Sequence, residues 1–331
     1  MPNSIGAGQV TPISHAYIAP PPIPTLVVNN ENGIGVSLTN VTIEKEFNGE
    51  FMYVPLRAVV EWMGGIVDWD AKNQEGQVWF GNYGTEKNPI TFQGIMKEGN
   101  KLYVKVKSIA EKLGLQLGWN QAKRTATLNY KTLTAEQKLK QNVNYFMAKV
   151  YIADVVLTTG GNKAVDTASD WFLNAKYSHA AIYVGGGEII GMVKSGLVKD
   201  SVEKFLREHA DVDIYRYTAI QKDIDLRNFI ADYAKKAFEK KLFKDEYDWS
   251  NLLGVTKPSQ DEAICSEFVW QVYDEYKIQL TPDHKTKVYR GRSPSDYVTV
   301  DFVMYPGTLV GLVPEVSSKL TFIAHTRGLK G

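Results

Sequence analysis

SHAAIYVGGGEIIGM (178–192) and ICSEFVWQVYDEY (264–276) decide how the C-terminal half of this chain is read. In the first, HAAIYV (179–184) and EIIGM (188–192) have the composition of strands, and Gly185-Gly186-Gly187 between them supplies a tight turn, so the stretch reads as a β-hairpin. In the second, Phe268, Val269, Val272, Tyr273 and Tyr276 recur at helical spacing and make one apolar face. Working outward, DVVLT (154–158) and VDIYRY (212–217) read as strands. Asp200 and Glu203 can cap a short helix ending near His209. DLRNFIADYAKKAFEKK (225–241) reads as a helix with Leu226, Phe229, Ile230, Tyr233, Ala237 and Phe238 on its buried face. Residues 151–331 therefore read as an α+β domain.

Cys265 is the one cysteine of the chain and opens the helix of the second stretch. The dipole and free amides of a first helical turn favour a thiolate and can hold an oxyanion, which is what a sulfur nucleophile needs. The same position also suits a buried structural cysteine. His179 opens the first strand of the hairpin. An imidazole there is held by the sheet at a cleft edge and can serve a thiol as base, or it can simply satisfy a backbone group at a strand end. The separation of 86 positions between the two decides nothing, because such pairs meet in space and not in sequence.

The N-terminal half contains a repeat. FMYVPLRAVVEWMGGIVDWD (51–70) matches KLYVKVKSIAEKLGLQLGWN (101–120) at a constant offset of 50. Each copy predicts a short strand, an amphipathic helix, a glycine stop at Gly64 or Gly114, and a strand carrying Trp69 or Trp119. A further strand follows each, at QVWFG (77–81) and RTATLNY (124–130). Recurrence at one point of a repeat predicts core packing for the two tryptophans; sugar stacking is the weaker reading. The Pro-rich residues 1–26 read as a flexible tail. Residues 132–150 read as a linking helix with a Thr134–Gln137 capping box and an apolar stripe of Leu139, Val143, Phe146, Met147 and Val150.

Composition narrows the function. A net charge of +1 leaves no basic excess for nucleic acid. No apolar run is long enough to cross a bilayer, and Met1 to Pro24 lacks the pattern of a signal peptide. One cysteine excludes an intrachain disulfide and argues against structural zinc. His15, His209, His284 and His325 are scattered and are read as serving structure, so no metal and no cofactor is expected.

Two resemblances sharpen these expectations. Ala153-Asp154-Val155-Val156-Leu157, Ser178-His179-Ala180-Ala181-Ile182-Tyr183-Val184-Gly185, Tyr247-Asp248-Trp249 and Ile264-Cys265-Ser266-Glu267-Phe268-Val269 occur in the order found in circularly permuted NlpC-type papain-like proteins, the YiiX/YaeF-like branch. Roughly residues 150–305 resemble that family, with Arg292-Ser293-Pro294-Ser295-Asp296 as its tail. The resemblance implies an antiparallel sheet packed against helices, with Cys265 as nucleophile and His179 as base. It puts the residue that orients the imidazole at Gly191, which has no side chain to do so; Glu188 is the nearby substitute. Tyr247, with Ser178 and Ser266 beside the pair, is implied in substrate binding. Ile264 stands where non-permuted members often carry an aspartate for a substrate amine, so specificity for a free N-terminal amine is not implied.

The repeat, in Tyr53-Val54-Pro55-Leu56-Arg57-Ala58-Val59, Gly64 and Val67-Asp68-Trp69-Asp70, resembles the copper amine oxidase N-terminal-like stalk domain over roughly residues 26–131. That resemblance implies a spacer or attachment role. With no histidine between His15 and His179, it implies no copper site.

Together these imply a cysteine amidase or peptidase acting on a peptide or peptidoglycan-derived substrate. It would be extracellular or surface-associated, with cell-wall attachment through residues 27–131. Two alternatives stay open: a thiol acyltransferase or lipid hydrolase of the same fold, and a non-catalytic surface or particle component.

Overall fold

A computed structural model describes residues 22–46, 49–97, 99–159, 177–243, 264–281, 285–289, 297–301 and 318–329. Most of the expected tail, Tyr247-Asp248-Trp249, His15, His284 and Arg292 to Asp296 lie outside them. The chain divides into two compact units, Met1–Val54 with Lys105–Tyr130, and Pro55–Val104 with Lys131–Gly331.

In chain order the first elements are β1 (Thr25–Asn30), β2 (Gly35–Leu38), β3 (Thr42–Glu46), β4 (Gly49–Pro55), α1 (Leu56–Trp62), β5 (Ile66–Asp70), β6 (Glu75–Trp79), β7 (Ile90–Phe92), β8 (Ile95–Lys97), β9 (Lys101–Lys105), α2 (Val106–Leu113), β10 (Gln116–Asn120) and β11 (Thr125–Tyr130). Both copies of the repeat thus fold as strand, helix, strand, strand. The helices stop where expected. Gly114 caps α2 in the left-handed region at φ 62°, and Gly64 after α1 has φ 87°, a conformation that is cheap only without a Cβ. β1 begins inside the expected tail, because Leu26 is fully buried and its strand pairs in parallel with β11 and antiparallel with β2.

The tryptophan expectation is corrected. Trp69 is 38% and Trp119 49% exposed. In each copy the core is filled instead by the helix, through Leu56, Val59 and Val60 in α1 and through Val106, Ile109, Ala110 and Leu113 in α2.

The larger unit continues with α3 (Ala135–Lys149), β12 (Val155–Thr159), β13 (His179–Gly185), β14 (Glu188–Val193), β15 (Gly196–Ser201), α4 (Val202–Glu208), β16 (Asp211–Tyr217), α5 (Ile224–Glu239), α6 (Cys265–Asp274), β17 (Lys285–Tyr289), β18 (Tyr297–Asp301) and β19 (Leu320–Arg327). The Thr134–Gln137 capping box starts α3 as expected. Its buried face also holds Gln141, whose Oε1 accepts from Gly81 N at 2.8 Å and whose Nε2 donates to Gly64 O at 2.7 Å. This polar residue fixes α3 to the first repeat copy within the unit. Ser201, rather than Asp200, caps α4 through Lys204 N, while Asp200 takes the Lys204 ammonium at 2.6 Å. In α5 the buried residues are Ile230, Ala231, Ala234 and Ala237. Phe229, expected inside, is 57% exposed: the helix packs on its alanines, which let it sit close to the sheet.

Six strands in the order β15-β14-β13-β12-β16-β19 form one antiparallel sheet. The turn between β13 and β14 has Gly185, Gly186 and Gly187 all at positive φ, the geometry a tight hairpin requires. Alternation gives the sheet two cores. Val155, Leu157, Ala180, Ile182, Val184, Ile190 and Met192 point to the face covered by α5 and α6. Val156, Ala181, Tyr183, Ile189, Val212 and Ile214 point to the face covered by α3 and α4. Each large apolar side chain so buried is worth about 2 kcal/mol, which fixes the register: a slip of one residue would exchange the faces. The fold is α+β, as expected, and a permuted papain-like domain fits it.

Candidate active site

Cys265 is the first residue of α6 and is 1% exposed. The residue before it, Ile264, is extended (φ −85°, ψ 170°), and its N–H donates to Glu267 Oε2 at 3.0 Å, so a buried carboxylate stands in the first turn of the helix. Cys265 packs in the core that includes Ala180 and Ile182.

The direction of α6 sets which end of the sheet the sulfur occupies. Tyr273, near the end of α6, donates its hydroxyl to Ala153 O, and Ala153 N donates to Tyr183 O near the end of β13. From Cys265 to Tyr273 the helix rises about 12 Å, and from His179 to Tyr183 the strand rises about 13 Å. Because α6 also packs along β13 and β14, Cys265 lies toward the His179 end of the sheet.

The two side chains do not share a face. The His179 ring lies 5.9 Å from that of His209, nearly parallel at 7°, and 6.3 Å from Phe205 of α4. That is the face of Ala181 and Tyr183, opposite the face of Ala180 and Ile182 where Cys265 packs. The expected direct contact of ring and sulfur is corrected on this ground: residue 179 is odd in a strand whose even residues face α6. Burial first, and then the neighbouring His209, lower the His179 pKa from 6.5 to about 3. Its imidazole is neutral in neutral solution, as a base must be before it takes a proton, but its affinity for that proton is weak in this setting.

Gly191 stands beside the ring, where the resemblance put the orienting residue. It pairs with Ala181 across the hairpin, and a Cβ built on it would lie 3.0 Å from His179 Nε2 and 3.0 Å from Ala181 Cβ. The imidazole occupies the room an orienting side chain would use. Glu188 is not the substitute. It pairs with Gly185 at the turn, roughly 20 Å along the strand from His179, and binds Lys199 Nζ at 3.0 Å. Nearness in sequence misled here, because a hairpin places the residues by its turn far from the strand start. Ser178 and Ser266 are both buried, with Ser178 N donating to Thr158 O at 2.9 Å. Tyr247 lies outside the described residues.

The structure adds groups that sequence reasoning passed over. His209, read only as a helix-end residue, is the ring that stacks on His179; its Nδ1 is 2.8 Å from Phe205 O. On the Cys265 face, Asp213 of β16 is buried and accepts from both Tyr177 Oη and His325 Nδ1. Tyr177 and Tyr215 are joined through their hydroxyls at 3.0 Å. Tyr177 packs in the same core as Cys265. The available signal was Asp213 between Val212 and Ile214: an acid inside an apolar strand requires buried partners. His325 had no such signal, since it meets Asp213 only through β16–β19 pairing. Among the described residues no group of His, Cys, Asp and Glu is arranged to hold a metal, and no helix is long and apolar enough to cross a membrane.

Comparison with known proteins agrees with this architecture. The family described as permuted papain-like amidase enzyme, YaeF/YiiX, C92 family, matches residues 153–296, which include Cys265, His179 and Gly191. The family described as copper amine oxidase N-terminal domain matches residues 84–165, including the second repeat copy. No curated protein matches the chain. The C-terminal match supports a hydrolase of the cysteine amidase type at the level of the family.

Proposed function

We propose that this protein is a cysteine peptidase or amidase that cleaves an amide bond in a cell-wall peptide at the cell surface, with Cys265 as nucleophile. The observation that carries the reading is the place of the one cysteine. It opens α6 at the sheet end that His179 also occupies, inside the residues matched by the permuted papain-like amidase family. The Cys265 thiolate attacks the carbonyl carbon, and first-turn amides hold the oxyanion. The C–N bond breaks, the amine leaves with a proton, and water hydrolyses the thioester and restores the thiol. The proton that the amine takes is the one the Cys265 thiol gives up. The copper amine oxidase N-terminal-like repeats hold the enzyme at the wall.

The test measures amine release from purified peptidoglycan and stem peptides, alongside iodoacetamide labelling of the native protein across pH. Release by the wild type, absent in Cys265→Ala, with labelling that titrates below the usual thiol range, is the expected result. Equal release by both proteins discards the mechanism.

A second reading has its own observation. With His179 stacked on His209 across the sheet and a glycine at 191, the domain serves as a non-catalytic surface component that keeps the fold. A native thiol that reacts only when the protein is unfolded, with no turnover, favours this reading over the first.

A further inference from the structure

The smaller unit carries an open groove that no catalytic role uses. It is lined by Glu50, Phe51, Lys105, Lys107, Leu117, Trp119, Gln121 and Arg124 and has a volume of about 510 Å³, within the usual range for a small-ligand site. Its strand, β10, is exposed at every residue and forms the edge of its sheet. Trp119 Nε1 donates to Gln121 Oε1 at 2.6 Å. That bond holds the indole by its polar edge, so its flat apolar face is the surface it offers. Leu117, two residues earlier on the same side of the strand, is also exposed. Lys105 Nζ lies 4.3 Å over the Phe51 ring, so aromatic surface and positive charge meet in the groove. Three cationic side chains, Lys105, Lys107 and Arg124, line the groove with one carboxylate, Glu50; Lys107 also pairs loosely with Glu111 at 3.7 Å, which leaves the groove with a positive excess.

We infer that this groove binds an acidic glycan: a short run of sugar rings bearing carboxylate or phosphate groups. The C–H face of a pyranose lies on the Trp119 indole, whose polar edge is already satisfied. The anionic substituents meet Lys107 and Arg124, and arginine forms paired hydrogen bonds to a carboxylate or phosphate. Charge complementarity selects an acidic glycan over a neutral one, and the held, flat indole favours a ring over a peptide strand. The site is independent of the chemistry at Cys265.

The experiment titrates the full chain calorimetrically with short oligogalacturonides and, for comparison, with uncharged cello-oligosaccharides. The acidic oligomer binds, and it binds more weakly as salt rises. Trp119→Ala weakens it about tenfold, equivalent to roughly 1.4 kcal/mol, with the unfolding midpoint unchanged because the indole is half-exposed. Lys107→Glu combined with Arg124→Glu weakens it further, and Trp69→Ala in the other repeat copy leaves it unchanged. Absent binding, equal binding of the neutral oligomer, or binding insensitive to Trp119→Ala overturns the inference. So does concentration-dependent self-association that Trp119→Ala abolishes.

Discussion

The two faces of the six-stranded sheet are built from the same strands and carry different chemistry. The face under α5 and α6 holds Cys265 and a hydrogen-bonded chain in which buried Tyr215, Tyr177 and Asp213 lead out to the exposed His325. The face under α3 and α4 holds the stacked imidazoles of His179 and His209. Only one residue of alternation separates Ala180 on the first from His179 on the second. The contrast teaches that a motif can bring a thiol and an imidazole to one end of a sheet and still leave their meeting to side-chain direction.

Four experiments break or sharpen that contrast. The largest effect is expected on the thiol face: Cys265→Ala reduces amide turnover to background, while Cys265→Ser retains the fold, both read as amine release with folding checked by circular dichroism. On the imidazole face the readout is acid stability. The folded pKa of His179 lies near 3 against an ordinary 6.5, so between those values the unfolded chain binds the extra proton and stability falls as pH falls. The loss approaches roughly 5 kcal/mol at the bottom of that window. His179→Asn should flatten this limb in urea unfolding series from neutral to acid pH; an unchanged slope would mean the ring is already protonated, and hence turned toward solvent.

Next comes the clamp at the edge of the same face. Arg216 binds Asp154 through Nε at 2.8 Å and Nη2 at 2.7 Å, and also Lys149 O at the end of α3 at 2.8 Å. Arg216→Ala strands a buried carboxylate and should cost about 3–4 kcal/mol, measured as a shift in the urea midpoint. The smallest effect returns to the thiol face. Tyr177→Phe removes one donor from buried Asp213 and the partner of the Tyr215 hydroxyl, for about 2 kcal/mol in the same assay.

The repeat shows how far sequence reading extends. Its strand-helix-strand frame and both glycine stops were legible, because helix period and left-handed caps are encoded within a few residues. The fate of the two tryptophans was not. Equal position in a repeat guarantees equal local geometry, and here that geometry turns both indoles outward, since α1 and α2 already fill the cores. Position 65 makes the same point from the other side. Gly65 is closed in by Val60, Phe80 and the Trp79 carbonyl, while the equivalent place in the second copy holds Leu115.

What the chain determines by itself is local: the triglycine hairpin, the Thr134–Gln137 cap, the doubled frame, and a lone thiol at the first turn of a helix. These follow from turn chemistry and periodicity over short spans, where few alternatives compete. The tertiary structure alone decides that His179 looks away from Cys265, that its ring fills the space beside Gly191 where the resemblance put an orienting side chain, that Glu188 sits at the far end of its hairpin, and that Asp213 takes His325 from the last strand. Each of those outcomes depends on register and packing between segments remote in sequence, and burial of whole faces, rather than any local preference, selects among them.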